Sequence, residues 1–181
     1  MKSLNFKLAD NVLHREEIIK LNIDYFNWIS SGIEASFGTK ITSLFGMSVP
    51  EYVESVIDKV CSDKPPHGAF YLVELNNEIV GMVGFRRLRD GVAEIKRLYV
   101  CPAYRGRHIG QNCMRKILAD AKDFGYQTLF LDIAPFMYSA QRLYKSFGFK
   151  PCDPYSEVEA PPELHKTWIF MECSLNDVII Q

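Results

Sequence analysis

The residues LYVCPAYRGRHIG, 98–110, decide how this chain is to be read. They close a segment, VAEIKRLYV (92–100), with the composition of a strand. Cys101-Pro102 then turns the chain. From Ile109, apolar residues recur at steps of four (Ile109, Cys113, Ile117, Ala121), with Met114, Leu118 and Phe124 beside them, the stripe of an amphipathic helix that Gly125 ends. Arg105, Gly106, Arg107 and Gly110 therefore stand around the first turn of a helix that follows a strand. The first amides of a helix have no internal acceptor, and its dipole places partial positive charge there. Glycines that admit a ligand to the backbone, with two arginines beside them, make a cradle suited to phosphate. It is not a Walker A loop, since no Gly-Lys-Ser/Thr follows, nor a G-x-G-x-x-G fingerprint. A plain helix start with surface arginines is the competing reading.

Upstream of this stretch the period is that of strands on short turns. AFYLVEL (69–75), an Asn76-Asn77 turn, EIVGMVGFRRL (78–88), an Arg89-Asp90-Gly91 turn and 92–100 predict an antiparallel meander. Before the break at 63–68 the pattern is helical. Pro50 opens a helix through Cys61, and residues 11–31 form a longer one that Ser30-Ser31-Gly32 ends. Residues 32–49 are expected to be loop, and LNFKL (4–8) a first strand. Downstream, TLFLDI (128–133) is a short apolar strand, residues 135–147 are a helix ended by Gly148, a Pro-rich acidic loop follows, and HKTWIFMECSL (165–175) is a last strand. Strand, helix, strand, helix from 92 to 147 implies one parallel pair in a mixed sheet.

The 181 residues carry 21 Lys and Arg against 22 Asp and Glu, a net charge of −1. That balance argues against sequence-independent binding of a polyanion, so no nucleic-acid partner is expected. The five cysteines include no C-x-x-C pair, and the four histidines show no ligand spacing, so neither a disulfide framework nor a metal site is expected. No apolar run is long enough for a membrane span, and the first residues lack a signal-peptide core. The expectation is one cytoplasmic domain over residues 1–181, with no membrane association. Its oligomeric state is open between monomer and homodimer.

A second motif, SAQRLYKSFGF (139–149), sets Tyr144 on an apolar helix face just before a Gly-Phe. By itself it reads as a core tyrosine. Together with the arginine-glycine turn it resembles the GNAT superfamily of N-acetyltransferases, particularly small, poorly characterised bacterial members. The resemblance covers about residues 69–150. It implies an α/β (mixed α+β) fold, with a central mixed, mostly antiparallel sheet of six to seven strands and about four flanking helices. It also implies acetyl-CoA as co-substrate. The family's Arg-x-x-Gly-x-Gly/Ala turn corresponds to Arg105-Gly106-Arg107-His108-Ile109-Gly110, with His108 in place of the middle glycine. The implied cofactor contacts are Leu98, Tyr99, Val100, Arg105, Gly106, Arg107, His108, Ile109, Gly110, Gln111 and Met137, the last standing where the family often has Asn.

The activity so implied is direct acetyl transfer to the primary amine of a small, amino-acid-like acceptor. The alternatives are a protein N-terminal or lysine acetyltransferase, and a non-catalytic acyl-CoA sensor. Tyr144 matches the tyrosine that protonates the departing thiolate. Glu94, an acid inside a strand, is the candidate base, directly or through a water, against a strand-surface glutamate paired with Lys96 or Arg97. Lys96 and Arg97 face the substrate or are solvated strand ends, with Arg97 a candidate for recognising an acid. Asp153, Glu157, Glu159 and Glu163 are either a solvated loop or an attractor of a cationic amine. Phe26, Trp28 and Phe37 either line the acceptor pocket or pack in the core.

Overall fold

The computed structural model describes residues 3–176, so the two ends of the expected domain, 1–2 and 177–181, lie outside the described residues. Seven strands form one sheet in the order β1-β2-β3-β4-β5-β7-β6. They are β1 (Leu4–Leu8), β2 (Gly68–Leu75), β3 (Glu78–Arg89), β4 (Val92–Val100), β5 (Thr128–Ile133), β6 (Lys150–Cys152) and β7 (Ile169–Ser174). Among these neighbours β4 and β5 pair in parallel, and the rest pair antiparallel. Five α-helices accompany them: α1 (Arg15–Phe37), α2 (Ile41–Phe45), α3 (Val49–Val60), α4 (Ile109–Asp123) and α5 (Tyr138–Ser146). The expected mixed, mostly antiparallel sheet is present, and α2 raises the helix count above the expected four.

Helices cover both faces of the sheet, which is why β2 and the middle of β3 (Val80–Phe85) are buried without alternation, while the end of β3 alternates. Met82 of β3 meets the wholly buried Asn22 of α1. On the opposite face Tyr71 of β2, paired with Val83, donates to Asp120 of α4 at 2.7 Å. Close packing is carried to the backbone at Gly81, where a Cβ would stand 2.4 Å from the carbonyl oxygen of Tyr99 on β4.

Five elements differ from expectation, where packing or a hydrogen-bonded turn overrode a local signal. α1 runs through Ser30-Ser31-Gly32 to Phe37, with Gly38 in the left-handed conformation as its C-terminal stop. Its buried stripe of Ile18, Leu21, Phe26, Ile29 and Ile33 continues across Gly32, and that burial outweighs the glycine's cost of about 1 kcal/mol. The missing side chain makes room for the Phe136 ring, 2.2 Å from where a Cβ would be. Residues expected to be loop form α2, whose Ile41 is buried. α5 starts at Tyr138 rather than 135, after a turn in which the Met137 amide donates to Ala134. β7 starts at Ile169 because the amides of Thr167 and Trp168 turn back to Leu164, and β6 forms inside the expected loop by pairing with β7.

Gly81→Ala is expected to destabilise the fold by about 1–3 kcal/mol, because the added methyl meets backbone and not a side chain that can swing away. A urea unfolding midpoint lowered with an unchanged slope checks it.

Candidate active site

β4 pairs with β5 only at Val92, Ala93 and Glu94. Beyond Glu94 the strands part: β4 stays with β3 to Val100, while β5 stays with β7 to Ile133. The edge of β4 that faces β5 is thus without a strand partner from Ile95 onward. A bulge in β4 accompanies the split. Between Gly84↔Lys96 and Met82↔Tyr99, two residue steps on β3 face three on β4. The extra residue is Arg97, at φ +56, a conformation that disfavours a residue with a Cβ. Its guanidinium donates to Oδ1 of Asn22 and lies 5.3 Å over the Phe26 ring, two contacts that hold it there.

On one side of the split is a cleft of about 490 Å³, a size that takes an extended ligand. Leu98, Tyr99 and Val100 form its floor, Trp28 and Phe136–Leu143 its walls, and Arg105, Gly106 and His108–Gln111 its mouth. Among the described residues, the amides of 106 to 111 donate to no acceptor, so the start of α4 presents a run of unpaired N–H groups. That arrangement fits a pyrophosphate. His108 adopts φ +60 as the residue before α4, and its Nδ1 turns to Gln111 Oε1 at 3.0 Å, leaving the amides open. Arg105 donates from Nε to the Val100 carbonyl at 3.0 Å and stacks between Trp28 and Tyr99. Arg107 stands outside the lining, over the Tyr104 ring, and reaches the Ala103 carbonyl.

On the other side is a smaller pocket of about 100 Å³. Aromatic residues of the N-terminal helices (Tyr25, Phe26, Phe45, Tyr52) enclose it, and four charged side chains enter it: Lys96, Arg97, Asp132 and Glu159. Met137 borders both cavities and so stands at their junction. Asp132 accepts from the Trp168 indole at 2.8 Å and stands 3.8 Å from Lys96 Nζ. Lys96 also meets Glu159 at 3.1 Å and Glu94 at 3.5 Å. Burial works against its charge, but Asp132, Glu94 and Glu159 outweigh burial and hold its pKa above the ordinary 10.5. Burial beside Asp132 pushes the Tyr25 hydroxyl up to about 12.

Glu94 lies beneath this pocket and does not line it. It is fully buried, with one carboxylate oxygen on Arg86 Nε at 2.7 Å and the other receiving the Tyr155 hydroxyl and facing Lys96. Arg86 continues to Glu159 at 2.5 Å and to the Glu157 carbonyl, and Arg89 takes the Glu157 carboxylate at 2.5 Å. The acidic loop and the basic run of β3 are therefore clasped together, and Glu157 and Glu159 already have cationic partners. Asp153 and Glu163 are exposed. Tyr144 is buried behind the split, with its ring on Phe149, and lines neither cavity. Burial, with Tyr25 and Asp132 nearby, pushes its phenol far up.

Of the aromatic residues singled out in the sequence, Phe26 lines the small pocket, Trp28 the cleft, and Phe37 neither. The sequence reading did not single out Tyr25, Tyr52, Asp132, Trp168 and Tyr155. A signal existed for Asp132: like Glu94, it is an acid inside an apolar strand, TLFLDI.

Residues 40–149 match the sequence model of a family described as Acetyltransferase (GNAT) family. An uncharacterized N-acetyltransferase of Schizosaccharomyces pombe is 37% identical over 93 residues, which are 50% of this chain and 57% of that protein. The chain spans about half the length of that relative. Two solved structures share the fold: a GNAT-family acetyltransferase from Staphylococcus aureus (TM-score 0.68, 22% identity, 96% of this chain and 99% of that one) and the PaiA N-acetyltransferase from Thermoplasma acidophilum in complex with coenzyme A (TM-score 0.66, 18% identity, 95% and 99%).

Glu94→Ala is expected to cost about 3–5 kcal/mol, because it leaves Arg86 and the Tyr155 hydroxyl without their buried partner. A thermal melt checks it.

Proposed function

The chain belongs to the GNAT acetyltransferase family, and on that premise we propose that it moves an acetyl group from acetyl-CoA to the primary amine of a small, amino-acid-like acceptor. One observation carries this reading. A cleft with unpaired amides at its mouth and a pocket with a carboxylate at its wall meet at Met137, on the two sides of one strand split.

When bound, acetyl-CoA supplies an acetyl group activated as a thioester. The amides of 106 to 111 and the free edge of the Arg105 guanidinium hold the pyrophosphate. The unpartnered edge of β4 at Leu98–Val100 pairs with the amides of the pantetheine arm as an added strand would. An amide of that edge, near Leu98 or Tyr99, faces the thioester oxygen and stabilises the charge that develops on it.

In the small pocket Asp132 replaces Glu94 as the candidate base. Its carboxylate lines the cavity, whereas both oxygens of Glu94 are engaged beneath it. Asp132 orients the acceptor's ammonium and receives its proton. The fixed cation Lys96 lowers the ammonium's own pKa and so eases that loss. Tyr144, buried behind the split, keeps the role of acid toward the thiolate from its place in the Leu-Tyr-x-x-x-Gly-Phe motif, which supplies a hydroxyl that can donate.

Saturating acetyl-CoA is expected to raise the melting temperature, by about 2.7 kcal/mol of added stability at a hundredfold excess over Kd. No rise at saturation would overturn the reading. In a thiol-release assay with a pooled amine library, Tyr144→Phe should lower kcat by about 10²–10⁴-fold while the acetyl-CoA melting shift persists. Asp132→Asn should lower kcat/KM for the amine by a similar factor while the acetyl-CoA melting shift persists.

A further inference from the structure

The two neighbouring cations of the small pocket differ in one respect. Lys96 is surrounded by three carboxylates, those of Glu94, Asp132 and Glu159. Arg97 has none within ion-pairing distance among the described residues; Glu159, already held by Arg86 and Lys96, acts on it only from further off. Its one hydrogen-bond partner is the amide oxygen of Asn22, and its other contact is the face of Phe26. Asn22 is itself wholly buried and donates from its amide nitrogen to the Ile18 carbonyl at 2.7 Å, which turns its oxygen toward Arg97. The guanidinium is thereby fixed with a single N–H engaged out of the five that an arginine carries.

Three costs coincide at this residue. It takes a backbone conformation that disfavours any side chain. It takes a charge into a pocket walled by aromatic rings, where burial pushes its pKa below the ordinary 12.5. It lacks the close ion pair that its neighbour makes with three carboxylates. Anchoring the bulge alone needs no charge, since a neutral amide would bond Asn22 as well. In a regular strand residues 96 and 97 would face opposite sides of the sheet. The bulge brings both into the same cavity, which Asp132 also lines.

We propose, resting on the acetyltransfer reading above, that Arg97 receives a carboxylate of the acceptor, so that the substrates are free amino acids, held by ammonium at Asp132 and by carboxylate at Arg97. The guanidinium fork matches a carboxylate in two parallel hydrogen bonds. The zwitterion leaves the pocket's net charge unchanged and gives Arg97 an anion and Asp132 a second cation. A simple amine would satisfy Asp132 and leave Arg97 as it is.

The test is thiol release at saturating acetyl-CoA with a panel of α- and β-amino acids, each paired with its carboxamide. At least one acid should exceed its amide in kcat/KM by about 30-fold or more, the loss that follows from leaving a fixed charge unpaired. Arg97→Gln should raise KM for that acid by a similar factor, change kcat little, and bring the acid-to-amide ratio near one. Arg97→Lys, which keeps the charge and loses the fork, should fall between. The ratio on the unaltered chain needs no variant to fold. Amides or simple amines turned over as well as the acids overturn the proposal and leave the acetyltransferase reading standing. Should thiol release be absent throughout while acetyl-CoA still raises the melting temperature, the N-acetylated acids of the panel are titrated with CoA present. Stabilisation by an acetylated acid and not by its amide supports the proposal, and equal or no stabilisation overturns it. Absence of both thiol release and any acetyl-CoA shift overturns the two readings together.

Discussion

The parting of β4 from β5 after Glu94 is the constraint on which this molecule is arranged. A sheet that stayed paired to its end would leave no unpartnered strand edge and no gap between its two halves. The split supplies both: a free edge facing the cleft, and a pocket behind it. At the point of parting sits a buried carboxylate with Arg86, Tyr155 and Lys96 around it. A carboxylate there is tolerated only because its oxygens are hydrogen-bonded and charge-paired, and removing a partner would strand the others. The cluster thus closes the base of the split and fastens the loop around Tyr155–Glu159 over it.

The net charge of −1 acquires a structural meaning from the same cluster. The basic run of β3 and the acidic run of 153–163 are far apart in the chain and suggest two opposed surface patches. In the folded molecule they meet: Arg86 with Glu94 and Glu159, Arg89 with Glu157, Lys96 with Glu159. The pairing uses up charge that would otherwise act at a distance, and brings Lys96 and Glu159 into the small pocket beside Arg97 and Asp132. The acidic loop is held over the split by salt bridges, and of its four carboxylates Glu159 lines the small pocket.

Where the sequence was most legible, its signals were local. The meander from 69 to 100, the helix from Ile109 and the strand at 128–133 came from periodicity and turn residues, and the structure has them within a residue or two. The phosphate cradle was legible for the same reason, since strand, turn and helix start are contiguous. The end of α1 was misjudged because Gly32 is a local stop signal that a longer buried stripe overrides. Tyr144 and Met137 were found by motif; that Met137 separates two cavities, and that Tyr144 lines neither, depends on how α5 packs.

The sequence by itself thus determined the order and type of the elements other than α2 and β6, the mixed sheet, and the anion-ready start of α4, because hydrophobic period, turn chemistry and unpaired helix amides all act between residues close in the chain. Tertiary structure alone decided which charged side chains line the pocket. Glu94 and Asp132 are both acids inside strands, alike to any local test. Contacts with Arg86 and with Tyr155, 61 residues away, engage both oxygens of Glu94 and leave Asp132 to line the pocket. A bulge, set by how β4 pairs with β3, turns Arg97 beside Lys96. The chemistry of a buried charge follows from its partners, and partners are assigned only when distant parts of the chain meet.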